Sequence, residues 1–299
     1  IYVFIKLLSM KDKKIISDKL LDTIPNDDIS SSHIRYLYKK RIDNKVFISI
    51  IFELILKGSI SLIRQNNEYF FIDNKIEEEV LNKSEENVKK ILFKEIGNSE
   101  NVTLSEIKKS SSKNSGYLYR EYKLFTNTFE YEFALDKMFK PTKSIIDNSM
   151  FYFVISMIIA IYNLLYTGYV YIFLGIFIIT SILVKIVNDF KNIEEEKIDE
   201  YKSWLEFKNY IDKTDISNLD IDTLENYAMY AYELDSYDNF KMNLHKKYTI
   251  DKDSFNNSVL LSIMNASVFD YIEKEINKSI NTFRFKSIVL FARNKGRRL

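Results

Sequence analysis

Few residues in this sequence are of a type and spacing that could carry chemistry. The only histidines are His33 and His245, and neither has a second histidine or a carboxylate at ligand spacing. The chain has no cysteine, which excludes thiolate metal sites, disulfides and a cysteine nucleophile. The acidic runs Glu77–Glu79 and Glu194–Glu196 offer oxygen to a divalent cation, but no loop pattern gathers several oxygens, and such runs are commonly solvated helix faces. No glycine-rich phosphate loop, nucleophile elbow or kinase motif set is present. We therefore expect no catalytic residue, no metal site, no cofactor and no small-molecule substrate. The basic patch Lys39, Lys40 and Arg41 is a candidate contact for lipid headgroups or, less favoured, for nucleic acid.

The elements that would position these residues follow from the patterning. The 299 residues carry a net charge of +1, so nothing global points to nucleic acid. The chain opens IYVFIKLLSM and then turns charged, so residues 1–10 read as the end of a truncated transmembrane helix. Residues 11–75 read as a winged-helix-like domain. Within it lie the short helix SHIRYLYKKR, capped by Ser31 and Ser32, and the helix NKVFISIIFELILK, capped by Asp43 and stopped at Gly58. A hairpin, SISLIRQ–NN–EYFFID, follows. Residues 76–143 read as a second helical, winged-helix-like unit. Gly97 closes a helix there, Thr103 to Glu106 forms a capping box, and an aromatic helix spans Tyr117 to Phe139.

No charge occurs between Asn148 and Val184. Over 144–188 this predicts a two-helix transmembrane hairpin, with spans Met150–Tyr166 and Tyr169–Ile186 and a turn at Thr167 and Gly168. Asn163, Gly168 and Gly175 are its candidate packing positions. Lys140, Lys143, Lys185 and Lys191 flank it, which predicts a multi-pass cell-membrane protein with its soluble parts cytoplasmic. Residues 189–299 read as a C-terminal helical cytosolic domain. In it, Asp222 to Glu225 is a capping-box variant and 254–283 is one long amphipathic helix. The basic segment RFKSIVLFARNKGRRL can touch anionic lipid. The expected fold class is thus a mainly α membrane protein.

Three features in this order resemble the bacterial predicted-membrane-protein family built on domain of unknown function 2207, the YciQ-like proteins. They are VFISIIFELILKGSISL, the uncharged hairpin, and the pair KSWLEFKNYI and LENYAMYAYEL. Leu54 and Gly58 match the family's helix end before the hairpin. Trp204, Phe207, Tyr210 and Ile211 match its tryptophan helix, and Tyr227, Ala228 and Tyr230 match the helix after it in part. The resemblance covers most of the chain and implies the C-terminal portion, without the family's N-terminal extracytoplasmic domain. It implies a membrane location and supplies no catalytic residue. Trp204, Phe207, Tyr210, Tyr227 and Tyr230 form the candidate interaction surface.

The resulting expectation is a non-enzymatic, membrane-anchored protein-interaction or signalling scaffold. Its partners would be the lipid bilayer and either another protein or a second copy of itself. The alternatives are a membrane-tethered winged-helix transcription regulator and an accessory subunit of a transporter.

Overall fold

A computed structural model of the chain describes residues 17–26, 28–75, 80–135, 193–252 and 258–296, with Phe139, Phe255 and isolated positions between 154 and 178. The chain divides into two compact units, one of residues 1–17 and 136–202, the other of residues 18–135 and 203–299. Within the first unit, the described residues form an isolated bridge between Phe139 and Ile193 and a 3-10 turn at Glu195–Lys197.

The second unit contains the described sheet and most of the described helices. Its elements in chain order are α1 (Ser31–Lys39), α2 (Asn44–Leu56), β1 (Ile60–Gln65), β2 (Glu68–Asp73) and α3 (Lys83–Lys89), which runs on as a π-helical segment, Lys90–Ile96. Then come β3 (Asn101–Thr103), α4 (Leu104–Lys113) and α5 (Ser115–Leu135). The later part comprises α6 (Ile198–Lys213, from Ser203 onward), α7 (Ile221–Glu233), α8 (Tyr237–Ile250), α9 (Val259–Asn265) and α10 (Val268–Gly296). The segments expected as separate soluble parts, 11–75, 76–143 and 189–299, all contribute residues to this unit.

Helix α2 sits at the centre. Val46, Phe47, Ile48, Ile50, Ile51, Phe52 and Leu54 are all at most 3% exposed. A helix apolar on every side has no face to give to water and must be enclosed. It packs against α1, α3 and β1 from the earlier part and α7 and α10 from the later part. Asp43 caps it by accepting from the Lys45 N–H at 3.1 Å. Gly58 then takes φ 75°, a left-handed conformation that glycine adopts without Cβ strain.

The sheet has order β1-β2-β3 and is antiparallel throughout. Asn66 and Asn67 both take positive φ, 51° and 62°, as a two-residue primed turn demands, and asparagine tolerates this better than most residues. Opposed Phe71 and Val102 face the core, each with no exposed surface. The likeness to a winged helix is limited to the order helix, helix, hairpin.

Several sequence expectations are corrected. The fold class included a transmembrane helical hairpin, but among the described residues no helix is long and apolar enough to cross a membrane. Absence of charge reports that a segment avoids water; it does not fix a continuous helix of the necessary ~20 residues. Asn163, Gly168 and residues 1–10 lie outside the described residues. Gly175 is described, and a Cβ there would meet nothing within 4 Å among the described residues.

The helix expected over 254–283 is broken at Ala266 and Ser267, where Ser267 takes φ 57°. The cap of α7 is Asp220 rather than Asp222: its carboxylate accepts from the Thr223 N–H at 2.8 Å and from the Thr223 hydroxyl. Gly97 follows the π-helical segment and does more than stop it. A Cβ there would collide with the Asn101 carbonyl oxygen and crowd Val102 at 2.9 Å, so glycine is what lets β3 approach.

Gly97→Ala is therefore expected to destabilise the protein by about 2 kcal/mol, because backbone must move. Gly116→Ala, on an open face of α5, is expected to raise stability by roughly 0.5 kcal/mol. Chemical denaturation of the two variants beside the parent checks both signs.

Candidate functional site

The densest polar constellation in the compact unit is centred on Arg35 of α1. Its side chain is 5% exposed and fans out to three carboxylates. Nη2 donates to Asp43 Oδ2 at 2.6 Å, and Nε donates to the same oxygen at 3.0 Å. Nη1 donates to Asp235 Oδ1 at 2.6 Å and to the Glu233 backbone carbonyl at 3.1 Å. Glu233 Oε2 stands 3.8 Å from Nε. Lys39 closes on Asp235 from outside, and Lys45 lies 3.6 Å from it and 4.6 Å over the Tyr232 ring. The planar guanidinium is suited to this task, since it presents five donors in a fixed fork and keeps its charge.

Beside it lies a second buried acid. Glu53 of α2 accepts from the Ser31 hydroxyl at 2.6 Å, the Ser32 N–H at 2.8 Å and the Ser32 hydroxyl at 3.2 Å. It thereby satisfies the open N-terminus of α1, where Ser30 makes no side-chain cap and negative charge is favoured. Ser31 and Ser32 are thus partners of Glu53 inside the first turn rather than the caps the sequence suggests.

The protonation states follow from burial. Glu233 is wholly enclosed, and neither carboxylate oxygen has a hydrogen-bond partner of ordinary geometry. Burial pushes its carboxyl well above the usual range; Ser49 and Arg35 oppose this only in part, and Glu53 adds to it. Burial thus favours the neutral form of Glu233. Asp235 behaves oppositely. Burial works against its charge, but Lys39 and Arg35 outweigh that and hold it at about 2. For Arg35 itself burial opposes the charge, yet the hydrogen-bonded carboxylates of Asp43 and Asp235 hold its pKa above the ordinary arginine value. Chemically this is a closed latch that joins α1 to the end of α7, with partners as much as 200 residues apart. Among the described residues no group of three His, Asp or Glu is placed to hold a metal ion.

The sequence-predicted residues fall elsewhere. Trp204, Phe207, Tyr227 and Tyr230 come together across α6 and α7 as ring packing, while Tyr210 and Tyr230 keep part of their surface exposed. Trp204, Phe207 and Tyr227 are buried, with the Trp204 ring tilted against Tyr230 at 5.2 Å and Phe207 edge-on to Tyr227 at 4.9 Å. The Tyr227 hydroxyl donates to the Asp22 carbonyl, and the Tyr230 hydroxyl to the Ile29 carbonyl at 3.0 Å. The cluster therefore holds the chain's own segment leading into α1. Of the basic patch, Lys39 is engaged by Asp235, Lys40 forms the left-handed cap of α1 at φ 57°, and Arg41 is exposed. His33 stacks on Phe129 at 4.8 Å, with Nδ1 2.8 Å from the Ser30 hydroxyl, and His245 is exposed.

Sequence reading missed the Arg35 latch because its members are far apart in the chain. One signal for its neighbour was present: Glu53 interrupts the apolar run VFISIIFELILK, and a carboxylate in such a run needs a partner.

Arg35→Met is expected to cost about 3 kcal/mol or more, since it strands carboxylates that the guanidinium now satisfies. Glu233→Gln should behave differently with pH. The folded protein keeps the Glu233 proton while the unfolded chain loses it above about pH 4.3. The contribution of this carboxyl to stability is therefore present below that pH and is lost as pH rises towards its raised folded value. Thermal melts should show Glu233→Gln level with the parent near pH 4 and above it near pH 8. A difference that does not vary with pH would mean that Glu233 is ionised.

No curated protein and no solved structure matches the chain. One family does: the predicted membrane protein (DUF2207) C-terminal domain, over residues 19–241. That span takes in α1 with Arg35, α2 with Glu53, the sheet, and α7 with Glu233 and Asp235, and so includes every member of the latch. The chain belongs to the DUF2207 family of predicted membrane proteins, as a bearer of its C-terminal domain.

Proposed function

We propose that the protein is a non-enzymatic, membrane-associated protein-interaction or signalling scaffold whose compact unit binds another protein or a second copy of itself. The observation that carries this reading is a stripe on α5. Tyr117, Leu124 and Tyr131 recur every seven residues and remain 43%, 48% and 65% exposed. Seven residues make two helical turns, so the three lie along one side. The other side of the helix buries Tyr122, Phe125, Phe129 and Phe133 in the core. Aromatic and leucine side chains lined up outside an already filled core are the composition of a contact surface rather than of a solvated face.

Membership of a family of predicted membrane proteins supports the membrane association. We place the compact unit at the cytoplasmic leaflet because Lys140, Lys143, Lys185 and Lys191 flank the uncharged stretch 148–184, and that leaflet is the anionic one. Arg35 is buried and spends its donors on Asp43, Asp235 and the Glu233 carbonyl, which supports a structural role for it. A DNA-reading role loses its support, because α2, which would have to enter the groove, is enclosed on all sides. An accessory role beside a transporter would present the same α5 stripe, and the identity of the captured protein separates it from a scaffold.

A photo-crosslinking amino acid placed at Leu124 or Tyr131 of the membrane-borne protein is expected to capture a discrete protein adduct or a crosslinked dimer. The same group at exposed Lys109 of α4 should capture neither. Equal labelling at all three positions, or none at the stripe, would sink the reading.

A further inference from the structure

Helix α10 changes character along its length. From Val268 to Phe283 it is a packing helix: Phe269, Ile272, Ile276, Ile280 and Phe283 are at most 5% exposed and lie against the body of the unit. Beyond Phe283 the helical backbone continues to Gly296, and the apolar side chains described there, Phe285, Ile288 and Val289, turn away from the core. Phe285 is 69% exposed, Ile288 61% and Val289 48%. Steps of three and four residues put these on one side of the helix. A shallow groove lined by Lys274, Lys278, Phe285 and Lys286 leads along α10 into the same face.

Charge on this stretch has one sign. From Lys278 to Leu299 the sequence contains seven Lys and Arg residues and no Asp or Glu. Lys286 is exposed on one flank of the apolar side, and Arg284 on the other. An outward apolar face between cationic flanks is the pattern of a helix lying in the interface of a bilayer, apolar side toward the acyl chains and cations toward the headgroups. A nucleic-acid backbone would call for the cations but leave Phe285, Ile288 and Val289 without a purpose. We propose that α10 from Arg284 onward docks on the surface of an anionic lipid bilayer. This goes beyond the scaffold reading, which rests on a different helix, and the two can fail separately.

The chain's lack of cysteine makes Ile288→Cys a single labelling site for an environment-sensitive dye. The full chain, held in nanodiscs of phosphatidylcholine, is titrated with vesicles of phosphatidylcholine alone or of equal parts phosphatidylcholine and phosphatidylglycerol. The expected result is a blue shift that saturates with the anionic vesicles, is absent with the neutral ones and weakens with added salt. The same dye at Lys109→Cys should not respond. Lys278→Gln combined with Lys286→Gln should weaken the apparent affinity roughly thirtyfold, two surface cations being lost, while circular dichroism shows unchanged helix content. No response to anionic vesicles, an equal response to neutral ones, an equal response at Lys109→Cys, or tighter binding to duplex DNA of matched charge concentration would overturn the proposal.

Discussion

Helix α2 sets the terms for the compact unit, because it has no side that tolerates water. Burying a side chain such as Ile or Phe stabilises a fold by about 1.5–3 kcal/mol, and α2 presents such side chains all round its axis. No neighbouring element can enclose it alone. Helices α1 and α3 and strand β1 cover part, and α7 and α10 cover the rest. The close approach of α7 is eased by Ala228 and Ala231, which have no exposed surface and keep its backbone near its neighbours. The unit is therefore assembled from chain on both sides of 136–202 because the demands of one helix cannot be met from either side.

Enclosing α2 brings polar groups into the interior, and their arrangement decides which way the enclosing helices sit. Apolar packing is permissive about rotation and slip, whereas a guanidinium shared among Asp43, Glu233 and Asp235 has one satisfying geometry. Glu53 adds a second fixed point by meeting the N–H of Ser32. A buried ion pair gives little net stability over a well-packed apolar substitute. Here its effect is to fix the register of α1 and α7 against α2. The raised pKa of Glu233 fits this account: burial favours its neutral form, which limits the negative charge enclosed beside the guanidinium.

What the sequence revealed depended on distance along the chain. The Asn66–Asn67 hairpin, the Asp43 cap and the Thr103–Glu106 capping box were legible because each is completed within a few residues. Asp220 and Asp222 both sit within reach of the start of α7, and the pattern alone chose the wrong one; the choice goes to the residue able to reach both the N–H and the hydroxyl of Thr223. The break between α9 and α10 was hidden because neither Ala266 nor Ser267 is a residue that signals a turn strongly, and the apolar spacing reads on through them. Trp204 and its aromatic neighbours were recognisable as a group, but not as the seat of the chain's own residues 22–29, since a hydroxyl bonding a backbone carbonyl some 200 residues away leaves no periodic trace. The Arg35 latch escaped for the same reason.

The division of labour around α2 also has a bearing on synthesis. As the polypeptide emerges from the ribosome, α10, which closes over α2, is translated more than 200 residues after it. Contacts of such sequence separation carry a large loop-closure cost and form late. Until α10 is made, the nascent chain therefore carries an incompletely covered apolar helix, followed by the uncharged stretch 148–184. Exposed apolar surface of this kind makes a folding intermediate prone to aggregate.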